Sequence, residues 1–435
     1  MQSINYKKNL LQIFIFVLFS GYFLIISFLN VSDVSAETVE QLRKKIQERN
    51  QQIEQIQKEI EKYQKQLDQT LEEKTTLKNE ISRLEITQKK LISDINLTQK
   101  QIESTGFNIE RLEIEIADKQ NSITGKKGEL SEIIRSLNEA ESQSLVEITL
   151  ANDTLSDFFT DIERMENFQK ELNINLKELK ELKSFLEEEK AEREIEKQNF
   201  EDLKGKLVDQ KIIVDSTKKQ KNQILTLTKN KEENYKKILA DRVTKQKALE
   251  DEIRSIEEQI RVVIDPSSLP RAGSGVLKWP LDSIMITQYF GNTPFATQNP
   301  QVYNGQGHNG IDLRASIGTP VKAAGDGTIT AIGDTDQSCY GVSFGKWILI
   351  SHPNNLSTLY AHLSLIRVSI GQSVKAGNII GYAGTTGYTT GPHLHFSVYA
   401  TPGVKIDQIR SKICGTMMTL PVASFNSYLN PLSYL

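Results

Sequence analysis

Isoleucine or leucine recurs every seventh residue through the first third of the chain, at Ile46, Ile53, Ile60, Leu67, Ile81, Ile95, Ile102, Ile109, Ile116 and Ile123, with Lys74 and Gln88 filling the two gaps. A second apolar series interleaves at Leu42, Ile56, Tyr63, Leu77, Leu84, Leu91 and Leu112. The background is Glu, Lys and Gln, and the first proline is Pro266. Such a seam is satisfied only when one helix lies along another, which predicts a left-handed coiled coil. A single helix over Glu37 to Ile123, at about 1.5 Å per residue, reaches roughly 130 Å.

The repeat falters at Thr124 to Glu129, where Gly125 and Gly128 predict a turn region. Asn152, Asp153 and the pair Phe158-Phe159 interrupt the pattern again. Helical series resume at Leu172, Leu179, Leu186, Phe200, Leu207 and Val214, and then at Leu249, Ile253, Ile256, Ile260 and Val263. Two long helices with a break between them fit an antiparallel hairpin, each supplying the other's partner, and also fit a parallel dimer.

Composition changes abruptly near residue 265. All 11 prolines and all five histidines lie beyond it, 20 of the 25 glycines follow Arg271, and no glutamate occurs from Gly273 to Leu435. Residues 265–275, rich in Pro, Gly and Ser, read as a linker. From Val276 onward short β-branched and aromatic runs alternate with turn residues, the pattern of a compact antiparallel β domain. The expected fold class is α+β: a coiled-coil region over 37–264 with a break or tip near 124–170, then a β domain over 276–435.

Residues 1–36 carry Lys7 and Lys8, an apolar run from Leu10 to Leu29 and then Val34-Ser35-Ala36. That is the pattern of an export signal, and the run is also long enough for an N-terminal membrane anchor. Either reading puts the rest outside the cytoplasm, in the periplasm, in the cell wall or on the extracellular face of the membrane. A net charge of -3 gives no basic stripe for nucleic acid. The two cysteines, Cys339 and Cys414, are too few for a four-cysteine zinc site. In an oxidising compartment they can bridge if their Cα atoms come within about 7 Å.

The chemistry is carried by the histidines. They cluster as His308-Asn309-Gly310-Ile311-Asp312, Tyr360-Ala361-His362-Leu363 and His393-Leu394-His395. On a strand His393 and His395 share a face, about 7 Å apart, so both imidazoles can approach one centre. A hydrolytic zinc takes three His or carboxylate ligands and keeps a position for water. His308, Asp312 and one of the His393/His395 pair supply that set. With no glutamate in the domain to act as base, proton transfer falls to His362 and the other member of the pair. His352 follows the apolar strand Ile348-Leu349-Ile350 without a neighbouring acid and reads as structural.

These motifs resemble the lysostaphin/LytM-type zinc endopeptidases, which cut peptide bonds in peptidoglycan stems or cross-bridges. The resemblance spans about Gly275 to Leu435. It rests on Trp279-Pro280-Leu281, Phe290-Gly291, His308 to Asp312, Gly318-Thr319-Pro320-Val321, Ala323 to Gly327, Leu359 to Leu363, Gly391 to Phe396 and Asn430-Pro431. It implies zinc ligands His308, Asp312 and His395 and catalytic histidines His362 and His393. Ser397 stands where family members often carry an acid, and Asp334 to Gly345 and Thr401 to Phe425 read as insertions, each with one cysteine.

The coiled coil ahead of such a domain is similar to murein hydrolase activators of the EnvC type, whose domains often lack zinc ligands and switch on separate amidases. Retention of all five metal and proton-transfer positions favours an enzyme over an activator. The same resemblance implies a role in cell-wall remodelling or division, and a partner of the FtsEX type, an ABC-transporter-like membrane complex gripping the coil near Ser144 to Phe168. Under it the arm either restrains the enzyme or sets its reach as a spacer. Polar seam residues such as Thr70, Thr98 and Thr105 lower the cost of alternative packings.

Overall fold

The computed structural model describes residues 38–71, 76–141, 155–260, 262, 264–293 and 307–435. The expected export segment and residues 142–154 of the expected tip region lie outside them. The helices are α1 (Val39–Leu71), α2 (Leu77–Glu141), α3 (Leu155–Thr228) and α4 (Glu232–Glu257). The chain divides into two compact units, 1–48 with 105–197, and 49–104 with 198–435.

In the first unit the seam pairs α2 with α3. Ile116 and Ile123 are buried with Leu186, flanked by the ion pairs Glu113–Lys197 at 3.3 Å and Lys126–Glu178 at 2.7 Å. Numbers fall on one helix as they rise on the other, so the pair is antiparallel. In the second unit Leu91 packs with Ile213, and Glu85 pairs with Lys221 at 2.7 Å. There α1 also runs antiparallel to α2, with Arg49 on Glu103 at 2.5 Å and Ser93 on Glu59 at 3.2 Å. Thr98 and Thr217, both buried, donate their hydroxyls to the carbonyls of Asp94 and Ile213, which removes the cost of placing them in the seam.

Two expectations need correction. The heptads do not form one rod from Glu37 to Ile123: α1 ends at Leu71 and α2 returns along it. A heptad repeat reports that a stripe needs a partner, and both arms of a hairpin satisfy it without marking where the chain reverses. Nor is there a turn at Thr124 to Glu129, because α2 passes unbroken through Gly125 and Gly128 to Glu141. A Cβ at either glycine would meet nothing within 4 Å. Each therefore costs the helix about 1 kcal/mol relative to Ala, too little to break a helix packed on a partner.

Past α4, Asp265 accepts from the Ser267 amide at the start of a short 3₁₀ turn and the β domain begins. Its strands are β1 (Ile286–Gln288), β2 (Ile311–Arg314), β3 (Pro320–Lys322), β4 (Gly327–Asp334), β5 (Lys346–Ser351), β6 (Leu356–Ile366), β7 (Ser373–Val374), β8 (Ile379–Ala383), β9 (His393–Ala400), β10 (Val404–Arg410), β11 (Met417–Ala423) and β12 (Tyr428–Leu429). One antiparallel sheet follows the order β1-β2-β9-β6-β5-β4-β7, with β12 on β9 and β8 joining β6 to β3. Ile311, Leu313, Ile348, Ile350, Tyr360, Leu394 and Phe396 are fully buried in its core. His352 is structural as expected, bonded to the Asp326 carbonyl through Nδ1 and to the Thr358 hydroxyl through Nε2, both at 2.8 Å.

The second expected insertion forms a separate hairpin, β10–β11. Cys414 in its turn is joined to Cys339 in the first insertion, with Cα atoms 5.6 Å apart across 75 residues of sequence. Closing a loop of that length restricts the unfolded chain, worth about 2–4 kcal/mol. A Cys339→Ser/Cys414→Ser chain is expected to lose stability of that order in denaturant titration, and mass spectrometry of the unreduced protein is expected to find no free thiol.

Candidate metal centre

The site is built by strand register. β2 pairs with β9 so that Asp312 lies directly opposite His395 and Arg314 opposite His393, while β6 on the other side of β9 places Ala361 opposite His395. His308 arrives four residues before Asp312, held by a backbone bridge to Gly291. Next to it Gly310 has no side chain for a physical reason: a Cβ there would sit 2.6 Å from the Phe396 carbonyl and from Ser397 Oγ, and 2.9 Å from the His395 ring.

His362 reaches the site by a distortion. The β5–β6 register shifts between Lys346 and Ile348, which face Leu363 and Tyr360, and His362 has φ 60°. A bulge re-aims a side chain in this way, and left-handed backbone at a non-glycine residue costs roughly 1–2 kcal/mol. Hydrogen bonds from the His362 amide to the Phe344 carbonyl (2.9 Å) and from its Nδ1 to the Thr386 carbonyl (2.8 Å) hold it there.

Three donor atoms converge. His308 Nε2 lies 3.0 Å from His395 Nδ1 and 3.3 Å from Asp312 Oδ1, and His395 Nδ1 lies 3.0 Å from Asp312 Oδ1. Zinc with ligand bonds near 2.0–2.1 Å has tetrahedral edges of about 3.3 Å, so this triangle fits the ion. The outer nitrogens fix the tautomers. His308 Nδ1 donates to the Tyr289 carbonyl at 3.1 Å, and His395 Nε2 meets Ser397 Oγ at 2.8 Å, so His308 Nε2 and His395 Nδ1 are the nitrogens turned to the centre. Burial pushes Asp312 up, but His393 and the hydrogen bonds from His308 and His395 outweigh it and hold the carboxyl well below its usual value. All three residues are buried.

The remaining two histidines face the same centre without joining the triangle. The His362 and His393 rings meet edge to face at 4.7 Å, and His393 Nε2 is 3.6 Å from Asp312 Oδ1. His393 Nδ1 donates to the Gly391 carbonyl at 2.9 Å, as His362 Nδ1 does to Thr386, so in each ring Nε2 is the nitrogen left for the centre. Burial, then the neighbouring His393 and His395, hold His362 neutral well below the ordinary imidazole range. The structure therefore brings together all five histidine and aspartate residues expected from sequence, and it separates His352 from them.

Sequence reasoning missed Ser397, the carbonyls of Tyr289, Thr386 and Gly391, and the contribution of α4. Ser397 was legible only as the residue two after His395, and backbone acceptors carry no sequence signal. A cavity of about 480 Å3 opens onto the metal-binding triangle, and Gln246, Glu250, Ile253 and Glu257 of α4 line it together with the histidines.

Three convergent donors that could hold a metal ion thus lie beside two further imidazoles on an antiparallel sheet. Residues 306–408 match the model of Peptidase family M23, and this part of the chain is an M23 peptidase domain. The chain is 41% identical over 106 residues to the DD-carboxypeptidase/endopeptidase Mpg of Neisseria meningitidis, 24% of this chain and 23% of that protein. It is 43% identical over 97 residues to the glycyl-glycine endopeptidase ALE-1 of Staphylococcus capitis, 22% of this chain and 26% of that protein. It is 44% identical over 91 residues to the peptidoglycan DD-endopeptidase ShyA of Vibrio cholerae, 21% of this chain and 20% of that protein. The match thus covers about a quarter or less of each of these relatives.

Two measurements check the site. His308→Ala and Asp312→Ala are expected to lose zinc on dialysis, whereas His362→Ala keeps it; Ser397→Ala is expected to bind about 10- to 100-fold more weakly, since it frees the outer nitrogen of His395. Burial also pushes Glu250 up to about 8. Its folded pKa exceeds its unfolded one, so the penalty is absent below the unfolded value of 4.5, grows as pH rises and is complete above about 8. In metal-free protein Glu250→Gln is accordingly expected to match the parent near pH 4.5 and to melt higher at pH 8.

Proposed function

We propose that this chain is a zinc-dependent endopeptidase that hydrolyses peptide bonds in peptidoglycan stems or cross-links during cell-wall remodelling or division. The observation that carries the reading is the convergence of His308, Asp312 and His395 on one point, with His362 and His393 beside it, each presenting a free Nε2. Zinc held by the three ligands supplies Lewis acidity towards the scissile carbonyl and the attacking water.

The chain's own groups do the rest. His362, neutral and anchored at Nδ1, accepts a proton at Nε2, and its φ of 60° keeps that atom aimed at the centre. The proton that His362 takes from the water leaves with the amine, and His393, anchored likewise, sets its Nε2 beside the centre. Asp312 stays ionised and sets both ligand histidines in place. Phe290, Phe344, Tyr388 and Tyr428 wall the cavity and exclude water around a peptide.

The relatives named as peptidoglycan endopeptidases support the substrate class, and the retained ligand set argues against a non-catalytic activator of amidases. A membrane complex of the FtsEX type acting on the helical arm remains part of this reading through its resemblance to division-linked hydrolases. Incubation of the zinc-loaded full chain with purified sacculi is expected to release muropeptides with new amine ends, and His362→Ala to hold zinc and release none. Unit zinc with no cleavage of any peptidoglycan type, even with α4 freed as described below, would turn the reading to the activator class.

A further inference from the structure

We propose that the β10–β11 hairpin, stapled to the first insertion by Cys339–Cys414, is a clasp that holds helix α4 across the metal-binding cleft and keeps the chain latent. The inference rests on the peptidase reading above and concerns how that site is regulated.

Helix α4 does not merely approach the β domain. Leu249 is fully buried in a cluster made by Cys339 and Val342 of the first insertion and by Ile409, Met418 and Leu420 of the hairpin. Around this apolar anchor the helix is bonded to backbone groups that sheet pairing leaves open. Gln246 Oε1 accepts from the Ser343 amide at 2.6 Å. Glu252 accepts from the Lys412 amide and the Ser411 hydroxyl, both at 2.8 Å, in the turn that carries Cys414. Glu257 accepts from the Ala423 amide at 3.1 Å and the Tyr428 hydroxyl at 2.6 Å. Carboxylates bonded to backbone amides, as at Glu252 and Glu257, are the stronger class of hydrogen bond, and three bonded points along one helix fix its rotation as well as its position.

The rotation matters because the face between these points turns to the catalytic cavity. Gln246, Glu250, Ile253 and Glu257 lie on that face, opposite His308, His362 and His393. A peptide long enough to be gripped on both sides of the metal needs the space that α4 fills. Among the described residues Glu250 has no cationic partner, and its hydrogen bond is to Gln246 at 2.7 Å. Bringing it into this cleft costs free energy, so the docked state is held by the clasp rather than by affinity of the helix for the site. The hairpin and the stapled loop therefore have a purpose as insertions: they contribute no ligand and no proton-transfer group, yet they enclose Leu249 and supply the amides bonded by Gln246, Glu252 and Glu257.

The test uses the full chain with zinc. Glu252→Ala removes two bonds to the hairpin turn, Leu249→Ala removes the anchor, Cys339→Ser/Cys414→Ser cuts the staple, and Lys237→Ala, on the exposed side of the same helix, serves as control. Three quantities are read: hydrogen exchange of the 232–257 amides, the rate at which a chelator withdraws zinc, and turnover of a soluble cross-linked peptide. Loss of a charge-assisted bond is expected to raise the open population roughly tenfold. The first three variants should then exchange faster over α4, release zinc faster and turn over about tenfold faster, while Lys237→Ala follows the parent. If Leu249→Ala fails to fold, the milder Glu252→Ala decides. Unchanged exchange over α4 in Glu252→Ala and in the double serine variant overturns the clasp. Faster exchange with unchanged zinc release and turnover overturns the latency. Faster exchange and zinc release without cleavage by any variant would leave the clasp standing and sink the peptidase reading instead.

Discussion

The centre depends on one cross-strand pair. Asp312 and His395 sit opposite each other in the β2–β9 ladder, both buried, with Oδ1 and Nδ1 3.0 Å apart. Side chains alternate along a strand, so a slip of one residue would turn Asp312 into the apolar core and bring Ile311 or Leu313 to the metal. The fully buried flanks, Ile311, Leu313, Leu394 and Phe396, prevent that slip, because each would lose its place in the core. Packing on one face of the sheet thus enforces the geometry of ligands on the other.

Helix and strand type were legible because they follow from periodicity, which a packed stripe or sheet face requires. The five site residues were legible for a related reason: histidines in a domain with no glutamate stand out against their background. Chain reversals were not. The return of α2 along α1 leaves the heptads intact across residues 72–76, and Gly125 and Gly128 looked like a break yet lie in a helix whose partner contacts outweigh them. The hydrogen bonds that hold each imidazole went unseen because three of the four acceptors are backbone carbonyls. Only the Ser397 hydroxyl, two residues beyond His395, had a residue type to announce it.

The insertions add a separate layer of structure beside the candidate site. β10 and β11 form a sheet of their own, outside the ten-stranded one. They use amides in the turn and at the end of β11 to receive carboxylates from α4. No glutamate occurs from Gly273 onward, so α4 supplies the carboxylates and the β domain the donors. Complementarity between two dissimilar polymers joined by a short linker explains why the compositional boundary near residue 265 is not a boundary of contact: residues 198–260 and the β domain fall in one compact unit.

The left-handed backbone at His362 carries a consequence for how such proteins age in evolution. A residue held at φ 60° by its neighbours stores free energy that only the function of its side chain repays. Replacement by glycine, which accepts that conformation freely, would remove the imidazole proposed for proton transfer and return about 1 kcal/mol to the fold. The metal ligands would not feel the change, since His308, Asp312 and His395 are fixed by other strands. On the reading proposed above, a step from His362 to glycine therefore exchanges activity for stability at a single residue.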